Sequence, residues 1–195
     1  MDAQRRLILS TATAIGASAL FAGGAAQATQ SAPFDPIPPL PPRPTPGKPG
    51  DFDFLAGEWR IEHRRLRAPG DWDQFAGEAT CWTILGGVGS VEELRIPARS
   101  FSGMGLRLLD VEKRVWSDFW VNARGGVLTT PGQTGSFESG VGIFVADDMD
   151  GDRPIKAAGI WDNISPTTCR WRQAVSHDGG KTWEQSWIMD WKRAR

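Results

Sequence analysis

Turn-forming residues divide the chain from Trp59 onward into short segments rich in β-branched and aromatic side chains. Ala68-Pro69-Gly70-Asp71 and Asp178-Gly179-Gly180-Lys181 are two such turns, and their residues tolerate or require turn geometry. No long segment shows helical periodicity. The pattern predicts about ten strands, near residues 58–67, 74–85, 90–96, 104–109, 115–122, 126–130, 135–145, 154–162, 168–176 and 182–192.

About ten antiparallel strands joined by short turns fit an all-β, up-and-down barrel. Closing the sheet on itself removes the exposed strand edges and leaves a lumen large enough for one small ligand. A β-sandwich is the alternative arrangement of the same segments. We expect one domain over residues 51–195, which contain all ten tryptophans of the chain.

The domain opens with the sequence Phe-Asp-Phe-Leu-Ala-Gly-Glu-Trp at residues 52–59. Gly57 lets backbones approach closely, and Trp59 can plug one end of a rolled sheet. This stretch resembles the Gly-x-Trp signature of the calycin superfamily, which includes lipocalins, fatty-acid-binding proteins and nitrobindins. It resembles more closely the opening of a group of bacterial barrel domains of unassigned function. The resemblance implies a calycin-like barrel, in which Lys192 or Arg193 would stack on the Trp59 ring.

Two segments precede this domain. Residues 1–28 have the order of an export signal, with Arg5 and Arg6 before a modestly apolar run and a small-x-small cleavage site that ends at Ala28. The paired arginines resemble a twin-arginine signal, and a Sec signal is the alternative. Residues 29–50 hold most of the chain's 14 prolines and are expected to form a stiff linker. The sequence therefore predicts a periplasmic protein.

The pairing of the two cysteines, Cys81 and Cys169, is left open by the sequence. An oxidising compartment favours a disulfide. In a simple meander, however, two other strands separate them by about 14 Å, which is beyond the reach of a disulfide.

Composition and motifs exclude several classes of protein. The formal net charge is −1, which predicts neither a nucleic-acid partner nor an anionic membrane surface. The signal segment is too short to span a bilayer, so no membrane span is expected. The sequence contains no P-loop, no dinucleotide fingerprint, no nucleophile elbow and no H-E-x-x-H motif. We therefore predict no cofactor and no metal.

Strand alternation places aromatic and polar side chains on one face of the sheet. On the fifth predicted strand Trp116, Asp118 and Trp120 point the same way, and on the ninth Trp171 and Gln173 do so. A packing core avoids unpaired polar groups, whereas a ligand cavity uses them to orient its ligand. We interpret this face as a cavity wall, with an exposed outer face as the alternative. The predicted ligand-binding residues are Arg65, Trp116, Trp120, Trp171 and Gln173.

These residues support three functional hypotheses. The first is an exported barrel that binds a small apolar or aromatic molecule. The second is a cofactor-free lyase, isomerase or hydrolase in the same lumen, with His63 and Asp118 as catalytic proton-transfer groups. The third is a carbohydrate-binding module, which would present Trp183, Trp187 and Trp191 in a row on an exposed face.

A single Asp-box pattern, Ser-x-Asp-x-Gly-x-Thr-Trp, covers residues 176–183. Asp178 in this pattern is expected to cap the turn through backbone amides, and Trp183 to anchor the strand that follows. A propeller would need several copies at a regular period, and the sequence contains one. The motif therefore predicts a hairpin.

Overall fold

The computed structural model describes residues 46–194, and ten strands account for most of them. Three single-turn 3₁₀ segments lie between or before strands, at Asp53–Leu55, Leu85–Gly87 and Pro97–Arg99. The strands are β1 (Gly57–Ala68), β2 (Asp71–Ile84), β3 (Gly89–Ile96), β4 (Phe101–Asp110), β5 (Val115–Asn122), β6 (Gln133–Glu138), β7 (Val141–Asp150), β8 (Arg153–Asp162), β9 (Thr168–Ser176) and β10 (Glu184–Arg193).

Each strand pairs antiparallel with the strand that follows it, and β10 returns to pair with β1. The closing register runs from Trp59 opposite Arg193 to Arg65 opposite Trp187. The prediction of an all-β, up-and-down antiparallel barrel is therefore confirmed. Within residues 46–194 each strand therefore has a partner on both sides, although β5 pairs with β6 only over Trp116–Asp118.

Two strand predictions are wrong, although the total of ten is right. The predicted strand at residues 126–130 contributes one isolated bridge, between Leu128 and Val121. The predicted strand at residues 135–145 is two strands, because Ser139 and Gly140 both adopt positive φ and form a tight hairpin turn. Apolar residues continue on both sides of that turn, so hydrophobic pattern alone did not reveal it.

The closed end of the barrel is filled by the segment that precedes β1. Phe52 is 2% exposed and packs edge-on against Trp116, with ring centroids 5.0 Å apart. Leu55 is fully buried, and its carbonyl accepts a hydrogen bond of 2.7 Å from the indole of Trp59. This plug buries the large rings at one end and keeps them out of the remaining lumen.

Arg193, one of the two basic residues predicted to reach Trp59, lies over that ring with 4.3 Å between its Cζ and the ring centroid. Its guanidinium donates hydrogen bonds of 2.6 Å to the carbonyl of Ala56 and 3.0 Å to that of Phe54. Strand β10 thus holds in place the segment that fills the closed end of the barrel. A cation over an aromatic face contributes about 1 kcal/mol in such a setting.

Residues 46–50, which the sequence analysis assigns to the linker, contact the barrel. Gly47 is buried, and its N–H donates a 2.7 Å hydrogen bond to the carbonyl of Arg114. A Cβ at this position would lie 2.8 Å from Cδ1 of Trp116, so a larger residue would displace the ring. The predicted signal segment and residues 29–45 of the predicted linker lie outside the described residues.

Cys81 on β2 and Cys169 on β9 are both buried free thiols. Strands β1 and β10 lie between them in the sheet, as the meander order requires. Burial raises the pKa of both thiols, and the charge of Glu92 raises it further. Both side chains are therefore neutral parts of the core.

The hairpin between β9 and β10 has the hydrogen bonds of an Asp-box turn. The Asp178 carboxylate accepts bonds from the backbone N–H groups of Lys181 (3.0 Å) and Thr182 (2.9 Å). The indole of Trp183 donates to the carbonyl of Gly180 over 3.1 Å. Hydrogen bonds from the backbone and hydroxyl of Thr182 lower the pKa of the Asp178 carboxyl. These contacts all lie within the turn.

Replacing Phe52 by Ala should lower the free energy of unfolding by about 3–5 kcal/mol, because the plug loses a large buried ring and a cavity remains. Urea denaturation followed by circular dichroism measures the change. Phe101→Ala is the matched control, since Phe101 is only partly buried at the other end of the barrel. Equal losses for the two variants would show that the plug is not a distinct stabilising element.

Candidate functional site

Beyond the plug, the barrel encloses a cavity of about 330 Å³. It extends from Trp161 and Trp191, next to the closed-end core, to Arg99 and Asp148 at the opposite end. Ligand cavities in proteins have volumes of about 300–1,000 Å³, so this lumen suits one small molecule.

The walls of the cavity are largely aromatic. Trp120 stands parallel to Phe101, with ring centroids 6.5 Å apart and 13° between the planes. Trp171 meets Trp187 edge-on, with centroids 6.2 Å apart. All four rings line the cavity. Flat apolar surfaces in two orientations favour a planar or apolar guest.

A buried cluster of charges also lines the lumen. Arg107 on β4 donates to Glu92 on β3 over 2.5 Å, and its Nε lies 3.4 Å from the carboxylate of Asp118 on β5. The side chains of Arg107 and Glu92 are about 5% and 4% exposed, and that of Asp118 is 14% exposed. Three neighbouring strands therefore bring two carboxylates to one guanidinium.

Burial of this cluster favours the protonated form of Asp118. Burial raises the pKa of Asp118 to about 6, against the attraction of Arg107, and the charge of Glu92 raises it further. Burial acts to lower the pKa of Arg107, but Asp118 and Glu92 outweigh it and raise that pKa overall. Arg107 therefore remains charged, while Asp118 can take up and release a proton near neutral pH.

Arg107 also has donor capacity left over. Its Nη1 is buried and has no hydrogen-bond partner within residues 46–194. Its Cζ lies 5.3 Å from the ring centroid of Trp161. The ring attracts the charge of the guanidinium, but it offers no oxygen or nitrogen lone pair to accept a hydrogen bond from Nη1. A buried donor without a partner costs about 1–3 kcal/mol, so an oxygen atom in the lumen would be bound favourably here.

His63, a predicted catalytic residue, lies behind the cavity wall. It is 1% exposed and is not among the residues that line the cavity. Its Nδ1 accepts a 3.2 Å hydrogen bond from the indole of Trp187, and its ring stacks on Phe75 with 4.7 Å between centroids. Burial, followed by the charge of Arg99, lowers its pKa to about 4. The neutral imidazole holds Trp187 in position.

The structure brings most of the predicted site residues together around one lumen. Arg65, Asp118, Trp120, Trp171 and Gln173 all line the cavity. Trp116 lies instead in the closed-end core, where it is fully buried and its indole donates to Asp51 over 3.1 Å.

Glu92 and Arg107 were missed by sequence reasoning. Each is a charged residue at an inward position of its strand, two residues from a buried leucine, Leu94 or Leu109 respectively. A charged residue on the same strand face as a leucine was the signal in the sequence that could have indicated them. Their contact depends on the register that sets β3 against β4, which alternation within one strand does not reveal.

The predicted row of Trp183, Trp187 and Trp191 does not form. A register shift between Gln185 and Trp187 interrupts the alternation of β10. Trp187 and Trp191 line the cavity, whereas Trp183 packs in the preceding hairpin. These three rings therefore do not make a flat platform for a sugar.

Within residues 46–194 the helical segments are single 3₁₀ turns, which are too short to span a bilayer. Within the same residues, no three His, Cys, Asp or Glu side chains are grouped as a metal site would need.

Comparison with known proteins gives a weak likeness of fold. Neither a protein-family model nor a curated protein matches the sequence. Among solved structures, the chain is similar to a protein of unknown function from the DUF3598 family of Nostoc punctiforme PCC 73102, with a TM-score of 0.42 and 12% identity. The match covers 80% of this chain and 53% of the other, so the chain spans about half the length of that protein.

The stability of the protein should depend on the protonation of Asp118. Its pKa is raised in the folded state from 3.8 to about 6. The protonated carboxyl therefore contributes fully to the free energy of unfolding below the unfolded pKa, and this contribution is lost as the pH rises through about 6. Between pH 4 and pH 7, the unfolding free energy of the wild type should fall by up to about 3 kcal/mol relative to Asp118→Asn.

Urea denaturation of both proteins across this pH range measures the difference. Carbon-13 NMR of the Asp118 carboxyl group provides an independent titration. A constant difference between the two proteins would contradict the prediction, because it would mean that the carboxyl ionises equally in the folded and unfolded states.

Proposed function

We propose that this barrel binds one small, apolar or aromatic molecule in its lumen. The observation that carries the proposal is the cavity of about 330 Å³, whose walls are tryptophan and phenylalanine rings and whose inner part holds a hydrogen-bonding cluster. Aromatic walls bind the apolar surface of a ligand favourably, and a few fixed polar groups orient the ligand.

The contacts suggest how such a ligand lies. Its ring or chain would pack between Trp120 and Trp171, which line the cavity from β5 and β9. A carbonyl or hydroxyl oxygen at its inner end would accept a hydrogen bond from Nη1 of Arg107, satisfying a donor that is otherwise unpaired within residues 46–194. Gln133 and Gln173 also line the lumen and offer further donors and acceptors.

Mass spectrometry of small molecules released from the protein tests this proposal, provided that the protein is purified without denaturation from the cells that produce it. The wild type should retain a specific compound. Trp120→Ala and Trp171→Ala should each weaken its binding about tenfold or more, because a flat wall of the lumen is lost. Each substitution should lower the free energy of unfolding by less than it lowers the free energy of ligand binding, since both rings are only partly buried.

Trp82→Ala is the matched control, because Trp82 is 46% exposed and does not line the cavity. It should retain the compound at the wild-type level. Loss of binding in parallel with loss of stability in the two lumen variants would assign these rings to the core and contradict the proposal.

A second candidate function, a cofactor-free enzyme in the same lumen, is favoured by the position of Asp118 beside Arg107. The Asp118 carboxylate would remove a proton from carbon next to a ligand carbonyl, and Arg107 would stabilise the charge that develops on the oxygen. Returning the proton to another carbon completes an isomerisation. Deuterium from solvent should then enter the retained compound with wild-type protein and not with Asp118→Asn.

We also propose that the protein is exported to the periplasm, on the strength of the signal-like residues 1–28. Replacing Arg5 and Arg6 together by Lys should leave full-length protein in the cytoplasm, whereas the wild type should appear in the periplasm without residues 1–28. Cell fractionation and intact mass measure both. Unchanged export of the double variant would support the Sec alternative.

A further inference from the structure

Three arginines line the cavity at the end opposite the plug: Arg65, Arg99 and Arg124. The Cζ of Arg65 lies 4.9 Å from the ring centroid of Trp187, and that of Arg99 lies 3.5 Å from the centroid of Phe75. Arg124 approaches the backbone carbonyl of Arg99 with its Nη2 at 3.4 Å. Two of these guanidinium groups thus lie over aromatic rings of the cavity wall.

The positive charge on this side of the opening exceeds its nearby negative charge. Asp73 forms ion pairs with Arg99 at 2.5 Å and with Arg67 at 2.9 Å. These contacts occupy both of its carboxylate oxygens. Within residues 46–194, Arg65 forms no ion pair of its own.

The surroundings of Arg65 disfavour its charge. Burial lowers its pKa, and the neighbouring charge of Arg99 lowers it further, while Asp73 compensates in part. An anion bound near the two guanidinium groups would offset the repulsion between them and favour the charged form of Arg65. Guanidinium groups also present forked donors that match the oxygens of a carboxylate, phosphate or sulfonate.

Negative charge deeper in the lumen and on β7 restricts an anion to the side of the opening that holds the arginines. The inner cluster carries two carboxylates, Glu92 and Asp118, for one guanidinium and would repel a further negative charge. Asp147 and Asp148 also line the cavity, and Asp147 is paired with Lys156 at 2.6 Å. An amphiphilic ligand would therefore place its apolar body inward and its anionic group among the arginines.

We propose that Arg65 and Arg99 form an anion-binding site at the mouth of the lumen, so that the natural ligand is an aromatic or apolar acid. This inference rests on the lumenal binding proposed above. It extends that proposal by specifying the charge of the ligand and the end of the lumen at which the charged group lies.

Two fluorescent probes that differ in one anionic group separate the two proposals. 8-Anilinonaphthalene-1-sulfonate and N-phenyl-1-naphthylamine share the same ring system, and only the first carries a sulfonate. Fluorescence titration of the full chain should show that the anionic probe binds about tenfold or more tightly than the neutral one. Added sodium chloride should weaken only the anionic probe, because the side chain of Arg99 is 36% exposed and salt screens its charge.

Arg65→Met keeps the length of the side chain and removes its charge, so it should weaken the binding of the anionic probe about tenfold more than that of the neutral probe. Arg65→Lys should restore part of the affinity, since a point charge lacks the fork. Arg60→Met is the matched control, because Arg60 is exposed and lies on the same strand at an outward position. It should bind both probes as the wild type does. Circular dichroism establishes that each variant is folded.

The outcomes distinguish the anion site from lumenal binding. Equal binding of the two probes by the wild type, or equal effects of Arg60→Met and Arg65→Met, would overturn the anion site and leave lumenal binding intact. Binding of neither probe would overturn lumenal binding and the anion site together. A loss in Arg65→Met that is about tenfold greater for the anionic probe than for the neutral one, with the neutral probe weakened in Trp120→Ala, supports both proposals.

Discussion

The pairing of β10 with β1 is the interaction on which the rest of the structure depends. It closes the sheet, and it brings Arg193 from the end of the chain to Trp59 at the start of the domain. The same arginine binds the carbonyls of Ala56 and Phe54, so closure and plugging are coupled. Without this pairing, the inward faces would be exposed to water and no lumen would exist.

Closure gives the inward positions two different environments. Near the plug, rings such as Phe52 and Trp116 fill the space and form an ordinary core. Farther along the same barrel the side chains leave a cavity, and its wall holds the cluster of Glu92, Arg107 and Asp118. Burying such a cluster is costly and is seldom needed for stability. Its position in a lumen therefore supports a role in binding or proton transfer.

Part of the candidate site could be predicted because strand alternation is a local property. The two-residue period puts Asp118 on the same strand face as Trp120, and Trp171 on the same face as Gln173, and all four line the cavity. Trp116 shares a strand face with Trp120 but lies in the plug region. Alternation predicts which way a side chain points, but not how deep in the barrel it lies, because depth depends on the register of all ten strands.

The sequence by itself determined the all-β class and the up-and-down order, since turn residues and two-residue alternation act over a few neighbouring positions. It also located the first strand, which begins at Gly57 of the Gly-x-Trp opening. The tertiary structure alone decided that Arg107 meets Glu92 and Asp118, that His63 supports Trp187 from behind, and that Arg65 and Arg99 lie over the neighbouring rings of Trp187 and Phe75. These contacts join residues far apart in the chain, and they exist only because strand register and barrel closure place them at the same height.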